Sequence, residues 1–465
     1  MVFTSHVFVF YFLPLVLAGY YLLRRGRNLF LLGASYVFYA WWNPAFVPLM
    51  AAVTVINYAG ARLIAGSSSA VRRKAAVVCS VAVSLGLLGF FKYFVFVQEN
   101  VNGVLAAFGG PVTELWRIAL PVGISFYTFQ SLSYTLDVYR GACAPVGSFA
   151  DFACFVSLFC QLIAGPILRY NAIAPQLHSR RHTLEKFSRG AGLFILGFAR
   201  KVLLANTIGR AADAAFATEG LAAADAWFGA GAYAFQIYFD FAAYSDMAVG
   251  LGRMLGFEFE RNFDGPYRSE SITDFWRRWH ISLSRFLRDY LYIPLGGNRR
   301  GRGRMYLNVA LVMLLGGLWH GANWTFMVWG AWHGGLLIIE RAMGKRSVYG
   351  RFPRAVRVCV TFVLVLFGWV MFRSASLGAG VGYLASMFGF GAAGGGAALT
   401  AASLYTPGNL LAAGICAVLA FGKRQAFDYA ETLTWRKVWV LVALFATSLA
   451  VMSAQAFNPF LYFQF

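Results

Sequence analysis

The chain has 465 residues, of which 59% are hydrophobic and only 13% charged, with a mean hydropathy of +0.60. Water cannot solvate that much apolar surface, so a soluble multidomain enzyme is excluded and a polytopic membrane protein is expected. The formal charge of +21 falls in short loops between apolar runs, which reads as the positive-inside pattern and attraction to anionic lipid, not as a nucleic-acid surface.

No segment is long and polar enough to fold as a separate aqueous unit, so residues 1–465 are expected to form one membrane domain. The run Val7 to Leu23 has no basic n-region and no small-residue cleavage site before Arg24, Arg25 and Arg27, and is predicted to stay as a transmembrane helix. A second cationic loop, Arg72, Arg73 and Lys74, brackets a hairpin of runs 28–42 and 45–65. Its aromatic turn, WWNP at 41–44, belongs at the opposite interface, which puts the N-terminus outside. Residues 75–97 are predicted to cross, 98–117 to form a loop and 118–136 to return. The run from Phe152 to Tyr170 is flanked on both sides by cytoplasmic-type sequence and broken by Gly165-Pro166, so it is predicted to be re-entrant.

Residues 190–206 and 226–256 form the next pair of spans. The second carries Asp240 and Asp246, which are costly in an apolar helix unless paired, and an arginine of the following basic stretch is the expected partner. That stretch, 261–304, holds ten arginines against Asp264, Glu270, Asp274 and Asp289. Its core, ITDFWRRWHISLSRFLRDYLYIPLGG, spaces apolar residues helically and predicts an amphipathic helix in the cytoplasmic interface, bounded by Asp274 and Pro294.

An apolar hairpin follows at 305–340, with the turn GGLWHGANW and the return limb TFMVWGAWHGG. The cationic loop Arg341, Lys345, Arg346, Arg351, Arg354 and Arg357 makes its far end cytoplasmic. Runs 358–372, 405–422 and 438–455 complete the chain, with 373–404 and the C-terminal NPFLYFQF outside. The expected fold is therefore all-α, with about ten to twelve transmembrane helices plus re-entrant and interfacial helices.

The limb from Met305 to Trp319 rises about 22 Å, which sets His320 well inside the membrane. A neutral imidazole there can take the proton of a hydroxyl as it attacks an acyl donor, and a packing histidine bonded to a carbonyl is the competing reading. His333 and Asn323 read more simply as a packing residue and a cap of the return limb. His280 sits between Trp276 and Trp279 beside Arg277 and Arg278, either lining a route from the cytoplasm to His320 or belonging to an interfacial belt. The arginines suit anionic phospholipid, or a phosphorylated donor or acidic carrier protein. There is no Ser-His-Asp order, GxSxG, P-loop or zinc spacing, and the six cysteines show no CxxC pattern. Buried thiols and no bound metal or cofactor are expected.

The segments ASYVFYAWW (34–42), LPVGISFYTFQSLSY (120–134), QLIAGPILRY (161–170), DFWRRWHISLSRFLRDYLYIPLGG (274–297) and GGLWHGANWTFMVWGAWHG (316–334) together resemble the membrane-bound O-acyltransferases, in their bacterial alginate- and polysaccharide-acetylating branch. The resemblance implies helices around a thin centre, with a tunnel from each face to an essential histidine. That histidine matches His320 in WHGANW, and the family's second histidine matches His280 in FWRRWH. It also implies a cytoplasmic thioester donor, acetyl-CoA or an acyl carrier protein, acting as co-substrate. Acceptance falls on the periplasmic side of the bacterial inner membrane, with the acetyl group passed through a secreted or membrane-tethered acetyltransferase partner to an exopolysaccharide. On this reading His320 is general base or acceptor positioner, and His280 lines the donor side. Trp319, Asn323, Arg277, Arg278 and Trp279 contact substrate, with Asn323 and the backbone near Gly321 as candidate oxyanion donors. A covalent acyl-His320 is left open. Competing functions are D-alanylation of teichoic acid, acetylation of peptidoglycan or cellulose, a transporter or export channel using Asp240 and Asp246, and a non-enzymatic scaffold.

Overall fold

The computed structural model describes residues 1–344, 347–391, 397–455 and 461; Lys345 and Arg346 of the cationic loop, and NPFLYFQF apart from Leu461, lie outside them. The described residues are helical, with no strand among them. They divide into two compact units. The first, residues 1–187 and 251–259, holds α1 (Leu13–Leu22), α2 (Arg27–Ala40), α3 (Val47–Gly66), α4 (Ala70–Ala107), α5 (Ile124–Tyr139), α6 (Phe149–Ser157) and α7 (Tyr170–His178). The second, residues 188–250 and 260–465, holds most of α8 (Leu184–Ala199), α9 (Asn206–Phe216) and most of α10 (Ala223–Met254). It continues with α11 (Ile272–Arg278), α12 (Ile281–Leu287), α13 (Gly301–His320), α14 (Trp324–Ala342), α15 (Arg354–Arg373) and α16 (Leu377–Met387). It ends with α17 (Ala397–Leu404), α18 (Pro407–Phe421), α19 (Ala426–Ala430) and α20 (Trp435–Ala454).

Among the described residues, five helical stretches are long and apolar enough to cross a membrane: Pro44–Gly66, Ala70–Ala107, Leu184–Phe216, Arg354–Arg373 and Trp435–Ala454. Val7–Leu22, α16 and α18 are apolar but shorter. The other helices are either shorter, as α2 with 14 residues and α5 with 16, or long but less apolar, as α10, α13 and α14. In the first unit α5 is buried nearly all round, and some of its polar side chains bond neighbouring helices. Thr135 Oγ1 donates to Asn57 Oδ1 at 2.8 Å and Asn57 Nδ2 donates to Ser84 Oγ at 2.9 Å, linking α5, α3 and α4. Such hydrogen bonds hold helices together where no water competes. By contrast α4 and α20 expose bare apolar side chains, Val78 and Phe90 on one and Trp439 and Val442 on the other, as helices against lipid do.

Residues 149–169 have the form expected of a re-entrant element. α6 has nine residues, about 14 Å, too short to cross. The irregular backbone after it is buried in protein, with Phe159 N–H donating to Ser35 Oγ at 3.0 Å and Gln161 pairing with Gln130. α4 departs from expectation: it runs 38 residues to Ala107, through much of the predicted 98–117 loop. Gln98 and Asn102 do not break it because they hydrogen-bond the returning chain, Gln98 Nε2 to Glu114 O at 2.8 Å and Asn102 Nδ2 to Thr113 O at 2.6 Å.

The α10 carboxylates also find partners other than those expected. Lys201 Nζ lies 2.5 Å from Asp240, and Arg200 Nη1 lies 2.8 Å from Asp246. Both cations belong to a π-helical turn, Arg200–Ala205, between α8 and α9. Widening the helix there lets two adjacent basic residues serve two carboxylates on one neighbouring helix. Asp240 further accepts the Leu461 N–H at 2.9 Å. Removing one member of a buried pair costs about 3–5 kcal/mol, whereas replacing both by apolar groups is far cheaper. Lys201→Met is therefore expected to lower the unfolding temperature of the detergent-solubilised protein markedly, and Lys201→Met/Asp240→Leu to recover most of the loss.

Candidate active site

The site is built on the α13–α14 hairpin. Its two limbs approach closely because a Cβ at Gly317 would strike Phe326 O and one at Gly330 would strike Met313 O, so glycine is required at both crossings. α13 ends on His320, the chain extends through Gly321, and Asn323 starts α14 by accepting the Thr325 N–H at 3.0 Å. Asn323 Nδ2 donates to Ala375 O at 3.0 Å, so both ends of this amide are engaged in structure.

The far end of α14 carries a residue that sequence reasoning passed over. Glu340, 4% exposed, accepts the N–H groups of Ile272 and Thr273 at 2.7 and 2.8 Å and the Thr273 hydroxyl at 2.6 Å. Its carboxylate thus holds the start of α11. α11 has seven residues, and at Trp279–His280 the predicted single amphipathic helix breaks. His280 adopts φ 43°, and no other non-glycine among the described residues has positive φ. A non-glycine side chain in this region costs about 1–3 kcal/mol and persists only where the surroundings impose it. Here Asn262 imposes it, accepting Ile281 N–H on its carbonyl at 2.9 Å and Ser282 N–H on Oδ1 at 3.1 Å.

His280 is fully buried, and its Nδ1 accepts the Leu283 N–H at 3.2 Å, capping α12. The proton therefore resides on Nε2, which meets no acceptor among the described residues. The ring lies between Phe241, 4.7 Å away, and Trp319, 6.0 Å away. Trp319 in turn meets the His320 ring edge-on at 4.9 Å, so both imidazoles touch one indole. Trp329 and Phe372 each stand edge-on to His320 at 5.2 Å. His333 follows one turn after Trp329, 5.1 Å from its ring, stacked on Phe275 at 6.0 Å and 11°. Neither His333 nitrogen has a hydrogen bond among the described residues, and a Cβ at Gly368 would lie 2.8 Å from Nε2. It is packed tightly inside the same aromatic box.

The remaining predicted contacts are dispersed. Trp279 packs on Trp369 at 4.8 Å and Phe263 at 5.0 Å, facing the core. Arg278 is committed to Asp274 at 2.9 Å and to Asp264 at 3.7 Å, whereas Arg277 is exposed. Phe372, which the sequence presents only as part of an apolar run, reaches His320, and its neighbour Arg373 pairs with Asp213 at 2.8 Å. Asp213 lines a polar cavity of about 320 Å³ together with Lys201, Asn206, Arg210, Gln236 and Asp240. No cluster of three metal-ligating side chains occurs among the described residues.

Buried imidazoles walled by aromatic rings, as in this second unit, are chemically able to accept and return a proton. The profile of the membrane-bound O-acyltransferase family matches residues 145–381, which contain all three of these histidines, and the chain belongs to that family. It is an O-acyltransferase and a multi-pass membrane protein. It is 46% identical, over the full length of both chains, to a Pseudomonas putida protein named "probable alginate O-acetylase". The peptidoglycan O-acetyltransferase of Helicobacter pylori is 36% identical over 84% of this chain and 80% of its own. The teichoic acid D-alanyltransferase of Streptococcus thermophilus is 27% identical over 54% of this chain and 68% of its own.

Glu340→Ala strands the buried Ile272 N–H, at about 1–3 kcal/mol, and the half-buried Thr273 N–H at less. It is expected to lower the unfolding temperature and raise amide exchange at 272–273, with Glu340→Gln intermediate. Burial holds the His280 imidazole down at about 3, against 6.5 when free. A base depressed on folding contributes stability that is complete above the free value and is lost as pH falls through this window. His280→Asn keeps a capping oxygen and tolerates the left-handed backbone, so it is expected to flatten the decline in unfolding temperature between about pH 7 and 4.

Proposed function

We propose that the protein moves an acetyl group from a cytoplasmic thioester, acetyl-CoA or an acyl carrier protein, to a hydroxyl acceptor at the periplasmic side of the bacterial inner membrane. Both termini lie in the periplasm on this reading. The end product is an O-acetylated exopolysaccharide of alginate type, as the name of the Pseudomonas putida relative suggests, reached through a periplasmic or membrane-tethered acetyltransferase partner. The observation that carries the reading is the contact of both His280 and His320 with Trp319, one with an open Nε2–H and the other at the end of α13.

The chemistry follows from those positions. The acceptor hydroxyl oxygen attacks the thioester carbonyl carbon while His320 takes its proton. The His280 Nε2–H donates to the carbonyl oxygen as negative charge develops, a role for which a fixed, buried donor is well suited. Collapse breaks the C–S bond, and the His320 imidazolium returns its proton to the departing thiolate. Arg277, exposed beside this histidine, meets the anionic part of the donor, and Trp319 and Trp279 wall the acyl path. The cavity beside Asp213 and Gln236 offers polar groups to a hydroxyl-bearing acceptor. Asn323 serves as a cap rather than as an oxyanion donor.

The test is transfer of labelled acetyl from acetyl-CoA, and in parallel from an acetyl-loaded carrier protein, by purified protein in nanodiscs with candidate periplasmic partners. His320→Ala at matched folded yield is expected to lose about 10²–10⁴-fold in rate, the range of general acid–base catalysis. Equal transfer by both proteins would reduce His320 to a packing residue.

A further inference from the structure

The first unit carries a cavity of about 520 Å³ that acyl transfer does not use. Its walls bring together Arg24, Arg27 and Asn28 from the α1–α2 turn, Asp151 from α6, and Arg180 and His182 from the segment after α7. Three guanidinium groups face one carboxylate, so the cavity is net positive. That carboxylate is occupied: Asp151 Oδ1 accepts from Asn28 Nδ2 at 2.6 Å. Asn28 Oδ1 in turn accepts from Arg180 Nη2 at 2.7 Å.

Arg180 is held in place rather than waving in solvent. Its guanidinium carbon lies 4.4 Å from the Phe257 ring centre and 5.8 Å from that of Tyr20, and its buried Nη1 makes no hydrogen bond among the described residues. Arg27 also lies over Tyr20, at 5.1 Å. The Tyr20 hydroxyl donates to Leu255 O at 2.7 Å and so accepts from His182 Nε2 at 2.9 Å, which fixes the imidazole at the cavity wall. Burial, and then the charges of Arg27 and Arg180, hold His182 below its ordinary value, a sign of the positive potential there. The first turn of α2 borders the same space behind Gly26 at φ 72°, with no side chain capping its amides. Fixed guanidinium forks beside open helix-start amides are the chemistry of phosphate recognition.

The rim identifies what carries the phosphate. Leu22 is 82% exposed, Leu29 63% and Leu23 38%, at the point where the apolar helix Val7–Leu22 ends. A soluble phosphoanion has no use for bare leucines, whereas a lipid has a headgroup phosphate and acyl chains side by side. We propose that this cavity binds the phosphate of an anionic glycerophospholipid through Arg24, Arg27 and Arg180, with its acyl chains along Leu22, Leu23 and Leu29.

Native mass spectrometry of the full chain in detergent tests this, titrating phosphatidylglycerol and phosphatidylcholine in parallel with inorganic phosphate and CoA. Wild type is expected to retain one phosphatidylglycerol in preference to phosphatidylcholine, and Arg180→Gln to weaken that retention about fivefold, the contribution of one cation near a lipid phosphate. Arg24→Glu is expected to weaken it further, and because the Arg24 side chain is exposed its effect does not depend on folding. Arg25→Glu, on the same turn but outside the cavity, is expected to leave retention unchanged. If Arg24→Glu and Arg180→Gln bind phosphatidylglycerol like wild type, or phosphatidylcholine binds equally well, the site is overturned. If CoA or inorganic phosphate binds in an Arg24-dependent way and phosphatidylglycerol does not, the lipid assignment is overturned in favour of a soluble phosphate.

Discussion

The Glu340 carboxylate, buried at the end of α14, takes three hydrogen bonds from residues 272 and 273, and the geometry of the site depends on that tie. A seven-residue helix cannot sustain itself, and its first amides are costly to bury unmet. A carboxylate placed there meets both needs, because it accepts the orphan N–H groups and sits at the positive end of the helix. α11 then leads rigidly into Trp279 and His280. His320 and His333 stand on the same α13–α14 hairpin that supplies Glu340, so all three histidines take their positions from one structural element.

The aromatic box around them has a second effect. Trp319, Trp329 and Phe372 meet His320 through edge-on contacts, and Phe241 and Trp319 enclose His280. Burial among such rings disfavours the charged form of the His280 imidazole. The left-handed backbone at His280 is strained, and it is retained because its alternative, a continuous helix through 272–292, would carry the imidazole out of register with Asn262 and Leu283. Strain of this kind persists only where the surrounding structure imposes it.

Polar groups elsewhere follow the same economy. Asp240 and Asp246 in the second unit, and Asn57, Ser84 and Thr135 in the first, each find partners on neighbouring helices, so interior helices can be polar while α4 and α20 expose apolar faces. This is why hydropathy alone separates outer helices from inner ones more readily than it counts crossings.

Much of the protein was legible in its amino-acid order. The helical membrane class follows from composition and the family from long motifs such as WHGANW and FWRRWHISLS, while His320 and His280 stand out as polar residues set in apolar surroundings. The interruption at Gly165-Pro166 also announced itself, because those residues act locally on the backbone. What escaped was every feature made by distant partners. The cap from Glu340 to Ile272, the pairing of Asp240 with Lys201, the reach of Phe372 to His320 and the continuation of α4 past Gln98 each join residues whose separation in the chain gives no local signal. Periodicity likewise predicted one amphipathic helix where Asn262 imposes a break. Sequence by itself determined which segments are apolar and which side chains are too costly to bury idle; tertiary structure alone decided which partners make them affordable, since hydrogen bonds and ion pairs are set by proximity in space.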